Sequence, residues 1–135
     1  MVLIVCVDDH NGMMFNHRRQ SQDRVLRADI LELTDGKKLW MNAYSRKQFA
    51  ESDAEKIRVD ETFLDAAGNG EFCFVENADV SGCVERIEEI YLYRWNRDYP
   101  ADVYFPVDLS VWKCMETKEF AGSSHEKITR ERYTR

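Results

Sequence analysis

Residues 90–112, IYLYRWNRDYPADVYFPVDLSVW, decide the fold. Ile90 to Trp95 is near-continuous bulk with no polar alternation, the signature of a strand covered on both faces. A loop carrying Pro100 follows. Tyr104-Phe105 reads as a second short strand stopped by Pro106, and Trp112 opens a third that runs to residue 117. Working outward, VLIVCV at residues 2–7 and FCFV at residues 72–75 have the same two-sided apolar character and predict further central strands. Three such strands in one chain point to a buried, largely parallel sheet.

Helical signals lie between them. Over residues 22–33, Val25, Leu26, Ile30 and Leu33 fall on one side at 100° per residue, Ser21 is placed to cap, and Asp35-Gly36 stops the pattern. Residues 38–41 and 56–59 read as short strands, residues 45–51 as a short helix, and residues 60–67 as a helix capped by Asp60 and stopped at Gly68. Val80, Cys83, Val84 and Ile87 recur at i, i+3, i+4 and i+7 behind Asn77, which predicts a helix over residues 77–87. Residues 8–22 read as a long polar loop with a turn at Asn11-Gly12. The last third has no helical pattern, and residues 127–133 add an antiparallel strand. The expected fold is α/β: one domain over residues 1–135, three layers (αβα) around a mixed, mainly parallel central sheet.

Composition narrows the function classes. With 44% apolar residues, 135 positions suffice for one globular core. A net charge of −6 gives no field that favours nucleic acid or an anionic membrane. No run is long and apolar enough for a transmembrane helix, and Asp8-Asp9 cuts the first apolar run too short for a leader peptide. Cys6, Cys73, Cys83 and Cys114 lack C-x-x-C spacing and read as reduced thiols, so a cytoplasmic protein is expected. His10, His17 and His125 are too far apart in sequence to suggest a metal centre.

The order of central strand, Asp102, Phe105-Pro106 and Trp112 resembles the C-terminal part of dihydrofolate reductases. Leu3 to Asp8 followed by Gly12 is similar to the opening strand and loop of that family. The resemblance implies a bacterial reductase-like fold with a cleft for a pterin and for NADPH. It also implies an acid on the first helix that binds the pterin ring. Asp23 matches that role by its distance from the first strand, and Asp29 by its place on the helix face; both stay open. The family's strand-ending Thr is replaced by Tyr93, and its Gly-Arg-x-Thr turn by Asn42-Ala43-Tyr44-Ser45. Its Gly-Gly, which lets a pyrophosphate approach a helix N-terminus, is replaced by Glu76-Asn77. The chain is also shorter than the family between Phe49 and Lys56.

These departures predict a degenerate cofactor site at Asn42, Ser45, Glu76 and Asn77, with no cofactor bound and NADPH as the alternative. At ~5 Å and an effective dielectric of ~20, one carboxylate opposes a bound unit negative charge by about 3 kcal/mol. The chain also resembles short bacterial proteins labelled ribonuclease Z, but it lacks the His-rich cluster that a two-metal hydrolase requires.

The ligand-binding residues expected are Asp23, Asp29, Arg18, Arg19 and Tyr93. His17-Arg18-Arg19-Gln20 is the only dense basic patch outside the tail and could take a phosphate or carboxylate. The alternation in residues 125–135 predicts the outer face of a terminal strand. The expected function is therefore binding of a small pterin-like, nucleotide-like or phosphorylated molecule. The alternatives are a protein-interaction or regulatory module and a divergent reductase with NADPH or another hydride donor.

Overall fold

In β1 (Val2–Val7), Leu3, Val5 and Val7 face one core cluster while Val2 and Ile4 face another. That division follows from strand alternation, and it makes β1 the middle of the molecule. The computed structural model describes residues 1–49 and 55–135. Parallel neighbours flank β1: β6 (Phe72–Val75) on one side and β7 (Glu89–Arg94) on the other. Outside β6 lie β4 (Leu39–Met41) and β5 (Ile57–Val59), also parallel. Outside β7 lie β10 (Ile128–Thr134), antiparallel, and then β9 (Lys113–Phe120) at the edge. The seven-stranded order is β5-β4-β6-β1-β7-β10-β9. It is a mixed, mainly parallel α/β sheet, and its central strands are those with two-sided apolar sequence.

One face is covered by α1 (Arg24–Leu33), whose Leu26 and Ile30 pack with Val2, Ile4, Phe74 and Tyr93. The other face is covered by Phe63 and Ala67, by Val80 and Ile87, and by Phe105, Val107 and Trp112. Regular helix there is limited to α3 (Phe63–Ala66), and α2 (Ala43–Arg46) follows β4. No described helix is long and apolar enough to cross a membrane.

Several expectations need correction. Residues 77–87 form no α-helix. They run through turns into a single 3-10 turn at Val84–Arg86. The Asp79 carboxylate accepts from Ser81 N–H, competing with the helical pattern, and Gly82 lowers helix propensity further. Val80 and Ile87 still reach the core, because successive turns over a sheet bury the same positions. The first helix is capped by Asp23 rather than Ser21: Asp23 Oδ1 accepts from the N–H of Val25 and Leu26. Asp60 bonds Thr62 in a turn, and α3 starts three residues later than expected. The short helix after β4 runs from Ala43 through a 3-10 turn at Lys47–Phe49, and its expected end falls outside the described residues, as does most of the shortening after Phe49.

The presumed loop after β1 instead builds a second, three-stranded sheet, β3-β2-β8, from β2 (Gly12–Phe15), β3 (Arg18–Arg19) and β8 (Val103–Tyr104). Asn16 and His17 connect β2 to β3 with φ of 50° and 62°. Such a two-residue hairpin turn needs the left-handed region, which Asn tolerates. The chain's last strand, β10, lies between β7 and β9 in the sheet. His125, just before it, is buried rather than outward-facing.

Candidate functional site

The carboxyl ends of β4, β6, β1 and β7 converge on one edge of the sheet, where open α/β sheets place ligands. Asp8 follows β1 and is buried. Its carboxylate accepts from the N–H of His10, Gly12 and Tyr99 and from Gln20 Nε2. Burial disfavours its charge, but these donors hold its carboxyl below the ordinary value.

The expected cofactor positions lie together. Asn42 caps α2, accepting from Ser45 N–H at 3.0 Å, and its Nδ2 donates to Asn77 Oδ1 at 2.7 Å. Ser45 is buried, and its Oγ has no partner among the described residues. Glu76, at the end of β6, accepts from Arg19 Nε at 2.8 Å and Nη2 at 3.1 Å, and from Gln48 Nε2 at 3.1 Å. The Arg19 guanidinium also lies 4.5 Å from the Tyr44 ring centroid. Bidentate pairing of this kind is the strong form of a salt bridge. It alters the electrostatic expectation: with Arg19 beside it, Glu76 presents little net charge to an incoming phosphate. After β6 the chain runs through turns to the 3-10 turn at Val84–Arg86, and no α-helix follows among the described residues. Between Glu76, Arg19, Gln48, Ser21, Cys6 and Trp95 remains a void of about 10 Å³, enough for at most one water. Burial and the Glu76 charge push the Cys6 thiol well above its ordinary pKa, so it is no nucleophile.

Both candidate pterin acids are engaged within the protein. Asp29 is buried and receives the Tyr93 hydroxyl at 2.6 Å, Lys118 Nζ at 2.9 Å and Arg130 Nη1 at 2.8 Å. Burial opposes its charge, but Tyr93, Lys118 and Arg130 hold the carboxyl low; burial and Asp29 together push the Tyr93 phenol far up. Asp23 receives the backbone N–H of Ser123 at 3.0 Å and of Ser124 at 2.9 Å. Its Oδ2 lies 2.9 Å from His125 Nδ1. Burial opposes the Asp23 charge too, and the Ser123, Ser124 and Leu26 N–H groups and the His125 ring override it, holding the carboxyl far below the usual range. His125 stacks on Trp95 with ring centroids 4.6 Å apart.

Strand alternation separates the two arginines that the sequence groups together. Arg19 turns inward to Glu76, while Arg18 is exposed and pairs with no acid among the described residues. Arg18 lines an open groove of about 280 Å³ with Phe15, Asn16, Gln20, Tyr99 and Pro100. A second concavity, about 370 Å³, lies beside α3 and is lined by Glu61, Asp65, Asp79 and Cys83 among others. Among the described residues no three His, Cys, Asp or Glu side chains are grouped to hold a metal.

Sequence reasoning assigned no site role to His125, Tyr99, Gln48 or Tyr44. Each acts across a long chain separation, 102 residues for Asp23 and His125. Asp8 had a local signal, the Asn11-Gly12 turn that returns a backbone N–H to it.

The arrangement defines a class: a mixed α/β sheet whose parallel strands bring their carboxyl ends to one edge. The fold is dihydrofolate-reductase-like. The chain is similar to the solved dihydrofolate reductase from Enterococcus faecalis complexed with NADP(H) and RAB-propyl, with a TM-score of 0.70 over 99% of this chain and 95% of that one, at 11% identity. No protein-family model and no curated protein matches the sequence.

Proposed function

We propose that the protein binds a small anionic, ring-bearing molecule (nucleotide-like, pterin-like or phosphorylated) in the groove between the β2–β3 hairpin and Tyr99-Pro100. The observation that carries this reading is Arg18: an exposed guanidinium without an acid partner among the described residues, in a groove walled by Phe15 and Tyr99. The guanidinium suits a phosphate or carboxylate, and the aromatic walls suit a ring. A volume of about 280 Å³ lies at the small end of ligand sites. It suits one ring system with one anionic group better than a dinucleotide.

The same reading treats the NADPH site as degenerate. A dinucleotide would need a phosphate cradle after β6. There Glu76 is tied to Arg19 and Gln48, and the chain continues in turns. A second reading, a protein-interaction module, has one observation in its favour. Phe15 (47% exposed), Val103 (44%) and Tyr104 (52%) leave apolar surface on the small sheet. A third, a divergent reductase, has only the fold in its favour.

Titration with AMP, pterin-6-carboxylate and NADPH, read as melting temperature and by calorimetry, separates these readings. AMP or the pterin acid should raise the melting point, and Arg18→Ala should weaken that binding about tenfold or more, roughly 1.4 kcal/mol. No response to either ligand would remove the groove as a site. Submicromolar NADPH affinity with turnover of dihydrofolate would establish the reductase instead.

A further inference from the structure

Beside this groove lies a cluster that the binding reading does not use. Ser21 Oγ is 3.0 Å from His125 Nε2, and His125 Nδ1 is 2.9 Å from Asp23 Oδ2. The contacts fix the tautomer. Asp23 is held as a carboxylate by four backbone N–H groups, those of Val25, Leu26, Ser123 and Ser124. An ionised carboxylate only accepts, so Nδ1 carries the hydrogen of the neutral ring and Nε2 presents its lone pair. The stack on Trp95 holds the ring plane. The chain order is Ser21, Asp23, His125, but a nucleophile triad is recognised by geometry and role, not by order.

We propose that Ser21, His125 and Asp23 form a nucleophile triad that transfers short acyl groups from activated esters to water. Ser21 Oγ bonds to the acyl carbon while its proton passes to His125 Nε2. The leaving alcohol or phenol departs with that proton. Water then attacks the acyl-serine, His125 takes the water proton and returns it to Ser21 Oγ, and the carboxylic acid is released. Asp23 is a positioning residue: it holds the tautomer and stabilises the transient imidazolium.

The void beside Ser21 is about 10 Å³, the size of one water, so it admits the acyl oxygen alone, while the rest of a short acyl group lies on the half-exposed side of Ser21. Arg19 and Gln48 also line that void, but Arg19 Nε and Nη2 and Gln48 Nε2 donate to Glu76, so the proposal rests on Ser21, His125 and Asp23 and not on a preformed oxyanion hole. Tyr99 Oη also lies 3.1 Å from Nε2, so it competes with Ser21 for the one lone pair. The proposal shares a wall with the groove but does not depend on anything binding there.

The test uses p-nitrophenyl acetate on the full chain, following p-nitrophenolate release and locating acetyl groups by peptide mass spectrometry. An acetyl on Ser21 is expected, with release at least tenfold above that of Ser21→Ala. His125→Gln should bring release down to the Ser21→Ala level. Tyr99→Phe, which frees the lone pair for Ser21, should match or exceed the parent rate, whereas a purely structural network would give no Ser21 adduct in either protein. Asp23→Asn should lower release without abolishing folding as judged by circular dichroism; if it unfolds, the Ser21→Ala and Tyr99→Phe pair still decides. AMP should still raise the melting point of Ser21→Ala, since Ser21 does not line the groove, which keeps this outcome separate from that of the groove. Acetylation confined to lysines, or release equal in the parent and Ser21→Ala, overturns the triad.

Discussion

Asp29 illustrates how a side chain expected to meet a ligand is used inside the protein. An acid on the apolar face of α1 must find partners or lose its charge. Here Tyr93, Lys118 and Arg130 arrive from β7, β9 and β10, so one carboxylate joins the helix to three strands. Asp29→Asn keeps the shape and removes the charge, leaving Arg130 without its buried partner. With Lys118 half exposed and able to turn to water, the expected loss is about 2–3 kcal/mol. Urea unfolding of the variant measures it, and a change below about 0.5 kcal/mol would mean the cluster does not stabilise the fold. The sequence placed Asp29 on the correct face by angle alone. It could not show Lys118 and Arg130, which lie 89 and 101 residues away. Arg18 and Arg19 are adjacent in sequence and opposite in role, a difference set by the parity of a two-residue strand that polar composition hid.

The elements that were legible are those whose sequence carries its own reason. VLIVCV, FCFV and the run from Ile90 are apolar on both sides, and only a central strand uses that pattern well. The segment over residues 77–87 misled because the i, i+3, i+4, i+7 spacing records burial on one side, which turns lying on a sheet also produce. The β9–β10 hairpin shows a constraint of another kind. A Cβ on Gly122 would stand 2.4 Å from Asp23 Oδ2 and 2.9 Å from Ile128 Cδ1, so this glycine lets the turn close onto the N-terminus of α1. Gly82 has open space and no positive φ. Gly122→Ala should therefore destabilise by about 1–3 kcal/mol, whereas Gly82→Ala should be neutral or slightly stabilising. Thermal unfolding of the two variants side by side checks this, and equal melting points would contradict it.

Across the whole molecule, three carboxylates fasten the periphery to the sheet. Asp8 gathers the loop after β1 and the backbone at Tyr99, Asp23 joins α1 to the β9–β10 turn, and Asp29 joins α1 to the antiparallel strands. In each the folded-state carboxyl is held below the ordinary aspartate value of 3.8. Near that value the unfolded chain then binds more protons than the folded one, so stability rises with pH. The contribution is complete above about pH 5 and is lost as pH falls through 3.8 and then through the lowered folded-state values. Asp23 should be the last of the three to titrate, since four backbone N–H groups and the His125 ring hold it ionised. Urea unfolding between pH 6 and pH 2 should show free energy dropping below about pH 4, with a shallower slope in Asp23→Asn, because that variant has no proton left to take up there. Parallel curves for the two proteins would mean that the Asp23 site carries no such linkage, and that loop and sheet are held together by apolar packing alone.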